Sequence, residues 1–150
     1  MITASASGKI MLVGEWGVLD SDCGCIVLPT PCSVKVEIEA NDDFLVDLSS
    51  ICLPFLKASY AKNKFSWAED CLEDLKKAEF VRLACEIALN FLTEKKIILK
   101  PFLLRTLGFD LTVQEKIGLG SSAAVVIAVI KAVLTYHQCF FNNEVLYKLG

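Results

Sequence analysis

The sequence predicts an α+β domain of mostly antiparallel strands with helices packed to one side, and three segments carry that expectation. Val34, Val36 and Ile38 alternate with Lys35, Glu37 and Glu39, the two-residue period of a half-buried strand. Phe80, Leu83, Ala84, Ile87, Ala88 and Phe91 recur at helical spacing. A glycine turn, Gly118-Leu119-Gly120, leads through Ser121 into a second helix running to about His137. Its Val125, Val126, Ile127, Val129, Ile130, Val133 and Leu134 cover nearly every face, so this helix is expected to be buried on most sides.

The remaining elements follow in order. Lys9–Val13 and Ser33–Ala40 read as strands, and Asn41-Asp42-Asp43 is a turn signal leading to a partner strand over Phe44–Leu48. The first third is therefore expected to be an antiparallel meander. The first helix lies between Ala68 and Leu92, with Lys77, Arg82, Glu86 and Asn90 turned away from its apolar face, and Pro101 breaks the pattern beyond it. Leu107–Val113 alternates again as a strand, and Asn143 is expected to cap a third helix through Glu144, Val145, Leu146 and Leu149. The sequence stops about two turns into that helix, which reads as a truncation or a split gene. The segment Ile51–Trp67 receives no assignment.

A chain of 150 residues fits one domain. Its 54% hydrophobic content exceeds the roughly 45–50% usual for soluble domains, which calls for a deeply buried core, an apolar face that meets a partner, or both. Net charge is −3 with Lys and Arg scattered, so no basic field exists to hold nucleic acid. The seven cysteines are odd in number, irregularly spaced and without a C-x-x-C pair. Cys23, Cys25 and Cys32 lack a defined fourth zinc ligand, His137 being the sole histidine, so reduced thiols and a cytoplasmic location are the expectation. No secretory signal is evident, and the longest apolar run, Ala123–Ile130, falls far short of the roughly 20 residues a bilayer span needs.

Chemistry is concentrated in Gly118-Leu119-Gly120-Ser121-Ser122-Ala123-Ala124. Two glycines allow close backbone approach to a bulky anion, and the following helix points its unpaired N–H groups and positive dipole end at that anion. Of the two hydroxyls, one can cap the helix while the other reaches a phosphate oxygen or a magnesium ion. An ordinary loop with a serine cap would explain one serine and one glycine, but not the whole cluster. No lysine follows Gly120, so this is not a Walker A loop. Gly118-x-Gly120-x-x-Ala123 formally matches the dinucleotide fingerprint, yet the strand before it alternates instead of reading as buried parallel strand. Further upstream, Lys9 and Glu15 each adjoin glycine and apolar strand; each is also compatible with a solvated surface role.

Two segments carry a family resemblance. Ala6-Ser7-Gly8-Lys9-Ile10-Met11-Leu12-Val13-Gly14-Glu15 resembles the first motif of the GHMP kinases, and Lys116 to Ala124 resembles their second, Gly-Leu-Gly-Ser-Ser-Ala. The motifs occur in family order, and within the family they are most similar to those of phosphomevalonate kinases: Glu115-Lys116-Ile117 stands where mevalonate kinases carry a proline, and Trp16 is the aromatic after Gly14-Glu15. Ser7 replaces the usual proline, Gly17 sits where alanine is common, and the family's third glycine-rich motif has no counterpart here.

The resemblance implies a ribosomal-protein-S5-like fold and an N-terminal, ATP-binding domain over residues 1–150, with the C-terminal half as a missing partner. It implies ATP and Mg2+ as cofactors and phosphoryl transfer to a small-molecule substrate, 5-phosphomevalonate, in isoprenoid synthesis. Gly118, Leu119, Gly120, Ser121, Ser122 and Ala123 would hold the ATP phosphates, with Ser122 the magnesium ligand. Lys9 would be the catalytic cation, and Glu15 would orient a lysine or the metal. Mevalonate kinase, diphosphomevalonate decarboxylase and a non-catalytic ATP-binding remnant stand as alternatives, and catalysis by this chain alone is not expected.

Overall fold

The computed structural model describes residues 1–14, 16–51, 53, 55–68, 75–107 and 120–150. Six strands and three α-helices are built from them in the order β1 (Ile2–Val13), β2 (Ile26–Ala40), β3 (Phe44–Asp47), β4 (Phe55–Ala61), β5 (Lys64–Trp67), α1 (Leu75–Glu94), β6 (Phe102–Leu107), α2 (Ser121–Tyr136) and α3 (Asn143–Leu149). Short 3-10 turns occupy Gly17–Leu19 and Ser49–Ile51.

The strands form one sheet in the order β1-β2-β6-β3-β4-β5. The expected α+β class holds, with one correction to its topology. Phe44–Leu48 is not the partner of the strand before it, because β6 inserts between β2 and β3, antiparallel to the first and parallel to the second. The physical reason is burial. Phe102 and Leu104 are wholly enclosed and Thr106 nearly so, and a strand that apolar on one side is best placed mid-sheet. A parallel neighbour requires a crossover, and α1 lies within it.

The expected strands are extended by the structure: β1 begins at Ile2 and β2 at Ile26. The unassigned segment holds a hairpin, β4–β5, turned by Lys62 and Asn63 with φ of 52° and 61°. Two consecutive left-handed residues make a turn whose twist matches the flanking strands. The part of the expected Leu107–Val113 strand beyond Leu107 lies outside the described residues.

Val34, Val36 and Ile38 of β2 point into the core beneath the helices as expected. Helix α1 is rotated relative to the expectation. Ala78, Val81, Ala84, Cys85, Ala88, Leu89 and Leu92 form its buried face, leaving Phe80 and Leu83 exposed. Arg82 and Glu86, far from being idle, clamp the helix to edge strand β5. Glu86 Oε2 accepts from the Phe65 N–H at 2.9 Å, Arg82 Nη1 donates to the Phe65 carbonyl at 2.8 Å, and the two side chains pair at 2.8 Å. A helix thereby satisfies the free backbone edge of a strand.

Both long helices end on a left-handed residue that is not glycine. At Lys96 (φ 58°) the Ile97 N–H returns to the Leu92 carbonyl, and at Gln138 (φ 56°) the Cys139 N–H returns to the Leu134 carbonyl, each at 3.0 Å. His137 locks the end of α2 to the approach to β6. Its Nδ1–H donates to the Val133 carbonyl at 2.8 Å and its Nε2 accepts from the Lys100 N–H at 3.0 Å, the two bonds of a neutral ring. The cap of α3 is Asn142, one residue before the expected Asn143; its Oδ1 accepts from the Val145 N–H at 3.0 Å.

Candidate functional site

Helix α2 contacts β1, β2 and α1, and Ala128, Val129, Ile130, Ala132, Val133 and Leu134 are wholly enclosed. This is the submersion expected of a helix apolar on nearly every side. Burial fixes its axis, and so fixes where its N-terminus emerges. Ser121, Ser122 and Ala123 are exposed there. The first helical hydrogen bond runs from the Ala124 N–H to the Gly120 carbonyl at 3.1 Å. The N–H groups of Ser121, Ser122 and Ala123 precede it in the first turn, where no helical carbonyl exists to accept them.

The N-cap is Gly120 itself, with φ 69° and ψ 30° and no side-chain cap bond. The expectation that a serine caps this helix is therefore corrected. Both serines stand inside the first turn, because the chain enters the helix through a left-handed residue that glycine adopts without strain. That entry brings the helix start down onto β1. A Cβ placed on Gly120 would lie 2.7 Å from Lys9 Cγ and 3.3 Å from both Lys9 N and Lys9 O. A Cβ at that position would require the Lys9 side chain to shift and its backbone to give by a few tenths of an ångström.

The two sequence motifs thus meet in space. Lys9 and the start of α2 line one open cleft of about 320 Å³ with Ala6, Ser7, Ala123, Ala124 and Ile127. Next to the cleft the β1–β2 register is irregular: Ser7 faces Ser33 but Lys9 faces Pro29, so β2 carries extra residues between them. Of the expected site residues, the structure brings together Lys9, Gly120 and Ala123, with Ser121 and Ser122 in the same helical turn. Gly118, Leu119 and Glu15 lie outside the described residues. Ala6, Ser7, Ala124 and Ile127 complete the lining and are not among the expected site residues. The signal for Ile127 was present, since Gly120, Ala123, Ala124 and Ile127 recur at three- and four-residue spacing along one helix face.

Chemically, the cleft offers the Ser7 hydroxyl and the Lys9 side chain beside a helix N-terminus whose first turn carries two more serines, a combination suited to a polyanion. Among the described residues no cluster of three His, Cys, Asp or Glu side chains forms a metal site. Ser121 and Ser122 are exposed in the first turn of α2, and hydroxyl oxygen is a donor type that a magnesium ion accepts. Among the described residues no helix is long and apolar enough to cross a membrane.

Comparison with known proteins gives consistent findings. Residues 79–150 match the family model for the GHMP kinases N terminal domain. The mevalonate kinase of Pyrococcus horikoshii is 28% identical over 156 residues, covering 99% of this chain and 43% of that protein. The mevalonate kinase of Saccharolobus solfataricus is 27% identical, covering 100% of this chain and 43% of that protein. Among solved structures, Streptococcus pneumoniae phosphomevalonate kinase in complex with phosphomevalonate and AMPPNP superposes with a TM-score of 0.76 at 23% identity, over 99% of this chain and 41% of that one. The Methanococcus jannaschii mevalonate kinase superposes with a TM-score of 0.71 at 19% identity, over 99% of this chain and 44% of that one. The chain spans about 43% of the length of the curated relatives it matches.

Proposed function

We propose, on the premise that the chain has the fold of a GHMP kinase N-terminal domain, that it supplies the ATP-binding half of a mevalonate-pathway kinase acting on 5-phosphomevalonate. The observation that carries this reading is the seating of Gly120 on Lys9, which aims the tip of α2 and the lysine side chain at a single cleft.

Phosphoryl transfer passes through a loose transition state with charge spread over the transferred group, so positioning and charge neutralisation do most of the work. The free N–H groups of Ser121, Ser122 and Ala123, with Gly118, Leu119 and Gly120 before them, hold the nucleotide phosphates. Magnesium, when bound, would supply charge neutralisation on the phosphates, and the Ser122 hydroxyl would be the side chain that holds it. Lys9 stands between donor and acceptor phosphates, where its ammonium screens their mutual repulsion. Glu15 orients the lysine or the metal. A phosphate-monoester acceptor is already anionic near neutral pH, its second pKa being about 6, so this screening is its main need. The rest of the acceptor pocket belongs to a C-terminal half not contained in residues 1–150.

A second reading, mevalonate as acceptor, draws on the curated relatives, which are mevalonate kinases. The test is titration of the purified chain with magnesium AMPPNP, followed by transfer assays on the enzyme completed with a C-terminal half. Binding to the chain and transfer to 5-phosphomevalonate over mevalonate are expected. Lys9→Met should lower turnover about a hundredfold or more with nucleotide affinity nearly unchanged. Absence of nucleotide binding, or full turnover in Lys9→Met, would overturn the assignment, and preference for mevalonate would establish the second reading.

A further inference from the structure

Helix α1 carries more apolar surface than the core takes up. Its core face runs from Ala78 to Leu92, and its Arg82 and Glu86 are committed to the backbone edge of β5. A third side remains. Phe80 (49% exposed) and Leu83 (37%) stand outside the core, and Ile87 and Phe91 are only partly buried against it. These four recur at intervals of three, four and four residues, so they form one row about 16 Å long down the outer side of the helix. That spacing is the seam of a helix that packs on another helix. Isolated exposed apolar residues such as Ile98 and Phe140 are ordinary, but an aligned row of two phenylalanines, a leucine and an isoleucine is not.

We infer that this row pairs α1 with α1 of a second copy of the chain, antiparallel about a two-fold axis. The order of the residues selects that partner. The row reads aromatic, aliphatic, aliphatic, aromatic, and an axis level with the turn Leu83–Ile87 lays it on itself: Phe80 meets the partner's Phe91, and Leu83 meets the partner's Ile87. Charge agrees with the antiparallel sense. The sequence continues the row with Lys76 four residues before Phe80 and Glu94 three residues after Phe91. An antiparallel copy brings position 76 level with the partner's Glu94 at both ends, whereas a parallel copy sets like charge against like. A seam of one helix pair is small among protein interfaces, below about 1,200 Å² in total, so a weak, concentration-dependent dimer is expected. The cleft lies between α2 and β1, while α1 packs on α2 and β5, so pairing leaves the cleft open. The inference does not depend on the function proposed above.

The test is light scattering of the purified chain from micromolar to millimolar concentration. The mass is expected to rise toward twice the 16.5 kDa of one chain. Phe80→Glu/Leu83→Glu should raise the dissociation constant at least tenfold, while Tyr147→Glu, on exposed α3, leaves it unchanged. Lys76→Glu should weaken the dimer several-fold, and adding Glu94→Lys should restore it, a rescue that only the antiparallel register gives. Should the double apolar variant misfold, a photo-crosslinking residue replacing Leu83 is expected to join two chains at the partner's Ile87–Phe91 turn, and one replacing Tyr147 is not. A chain that stays monomeric at millimolar concentration, a dimer that the double apolar variant leaves intact, or crosslinks that map away from α1 would each overturn the inference. So would a monomer that binds phosphatidylcholine vesicles through the row, which would assign it to a lipid surface instead.

Discussion

Substituting Gly120 tests the central geometry most directly. At φ 69° an L-residue with a side chain costs about 1–2 kcal/mol over glycine. Its Cβ would also meet Lys9 Cγ at 2.7 Å, forcing the lysine off its rotamer at about 0.5–1.5 kcal/mol. Backbone contacts at 3.3 Å to Lys9 N and O cannot be relieved by side-chain rotation. Gly120→Ala is therefore expected to destabilise the chain by about 2–3 kcal/mol, on the order of a hundredfold in the unfolding equilibrium. Gly120→Asn separates the two causes. Asparagine tolerates the left-handed region but keeps the Cβ, so only the contact part, about 1 kcal/mol, should remain. Urea unfolding gives the free energies, and titration with magnesium AMPPNP gives the functional consequence, a loss of roughly tenfold or more as the helix tip and Lys9 are pushed apart. Gly120→Ala within about 0.5 kcal/mol of wild type, with unchanged nucleotide affinity, would refute the seating of the helix on β1.

Ser122→Ala is expected to raise the magnesium concentration needed for half-maximal nucleotide binding; superimposable magnesium titrations of variant and wild type would remove Ser122 as a metal ligand. Arg82→Ala removes a charged bond to the Phe65 carbonyl and strands Glu86 beside β5, so chemical denaturation should show a loss of about 2–3 kcal/mol, and hydrogen exchange should rise at Phe65. Burial holds the His137 pKa below its ordinary 6.5, so the unfolded chain takes up the proton more readily than the folded one. Its contribution is then fully present above about pH 6.5 and is lost as pH falls through that value toward the lower folded one. Urea midpoints measured between pH 5 and 7.5 should drop on the acid side, and His137→Gln should flatten the drop, His137 being the sole histidine; an equal drop in that variant would exclude the imidazole as its source.

Much of the fold was legible because it follows simple periods. The alternation of Val34, Val36 and Ile38 and the all-round apolarity of α2 each determined burial correctly. The phase of α1 was misread since Phe80 and Leu83 are large and apolar, whereas the residues that pack are mostly small or medium: Ala78, Val81, Ala84, Cys85 and Ala88. Close approach of α1 to α2 favours small side chains, and that preference depends on a neighbour no single segment reveals. The β4–β5 hairpin went unread because Lys62-Asn63 supplies the left-handed turn without the glycine that usually announces it. Insertion of β6 beside β3 depends on pairing across many residues and has no local signature. In the cleft, Lys9 and Gly120 were identifiable from motif chemistry, but their mutual contact was not, because it is set by the irregular register after Ser7 and by the depth at which α2 is buried.

Insertion of a late strand into the middle of the sheet has a consequence for how the protein is made. A nascent chain that has not yet delivered Phe102–Leu107 holds two separate ribbons, β1–β2 and β3–β4–β5, with no described backbone ladder joining them. Neither ribbon has α2 available to cover its apolar side until the ribosome has passed Tyr136. The polypeptide thus emerges with Val36, Ile38 and Val46 awaiting their central strand, which is synthesised only after the other five. Folding is deferred by topology, and chaperone protection during synthesis matters most for the strands that are made first.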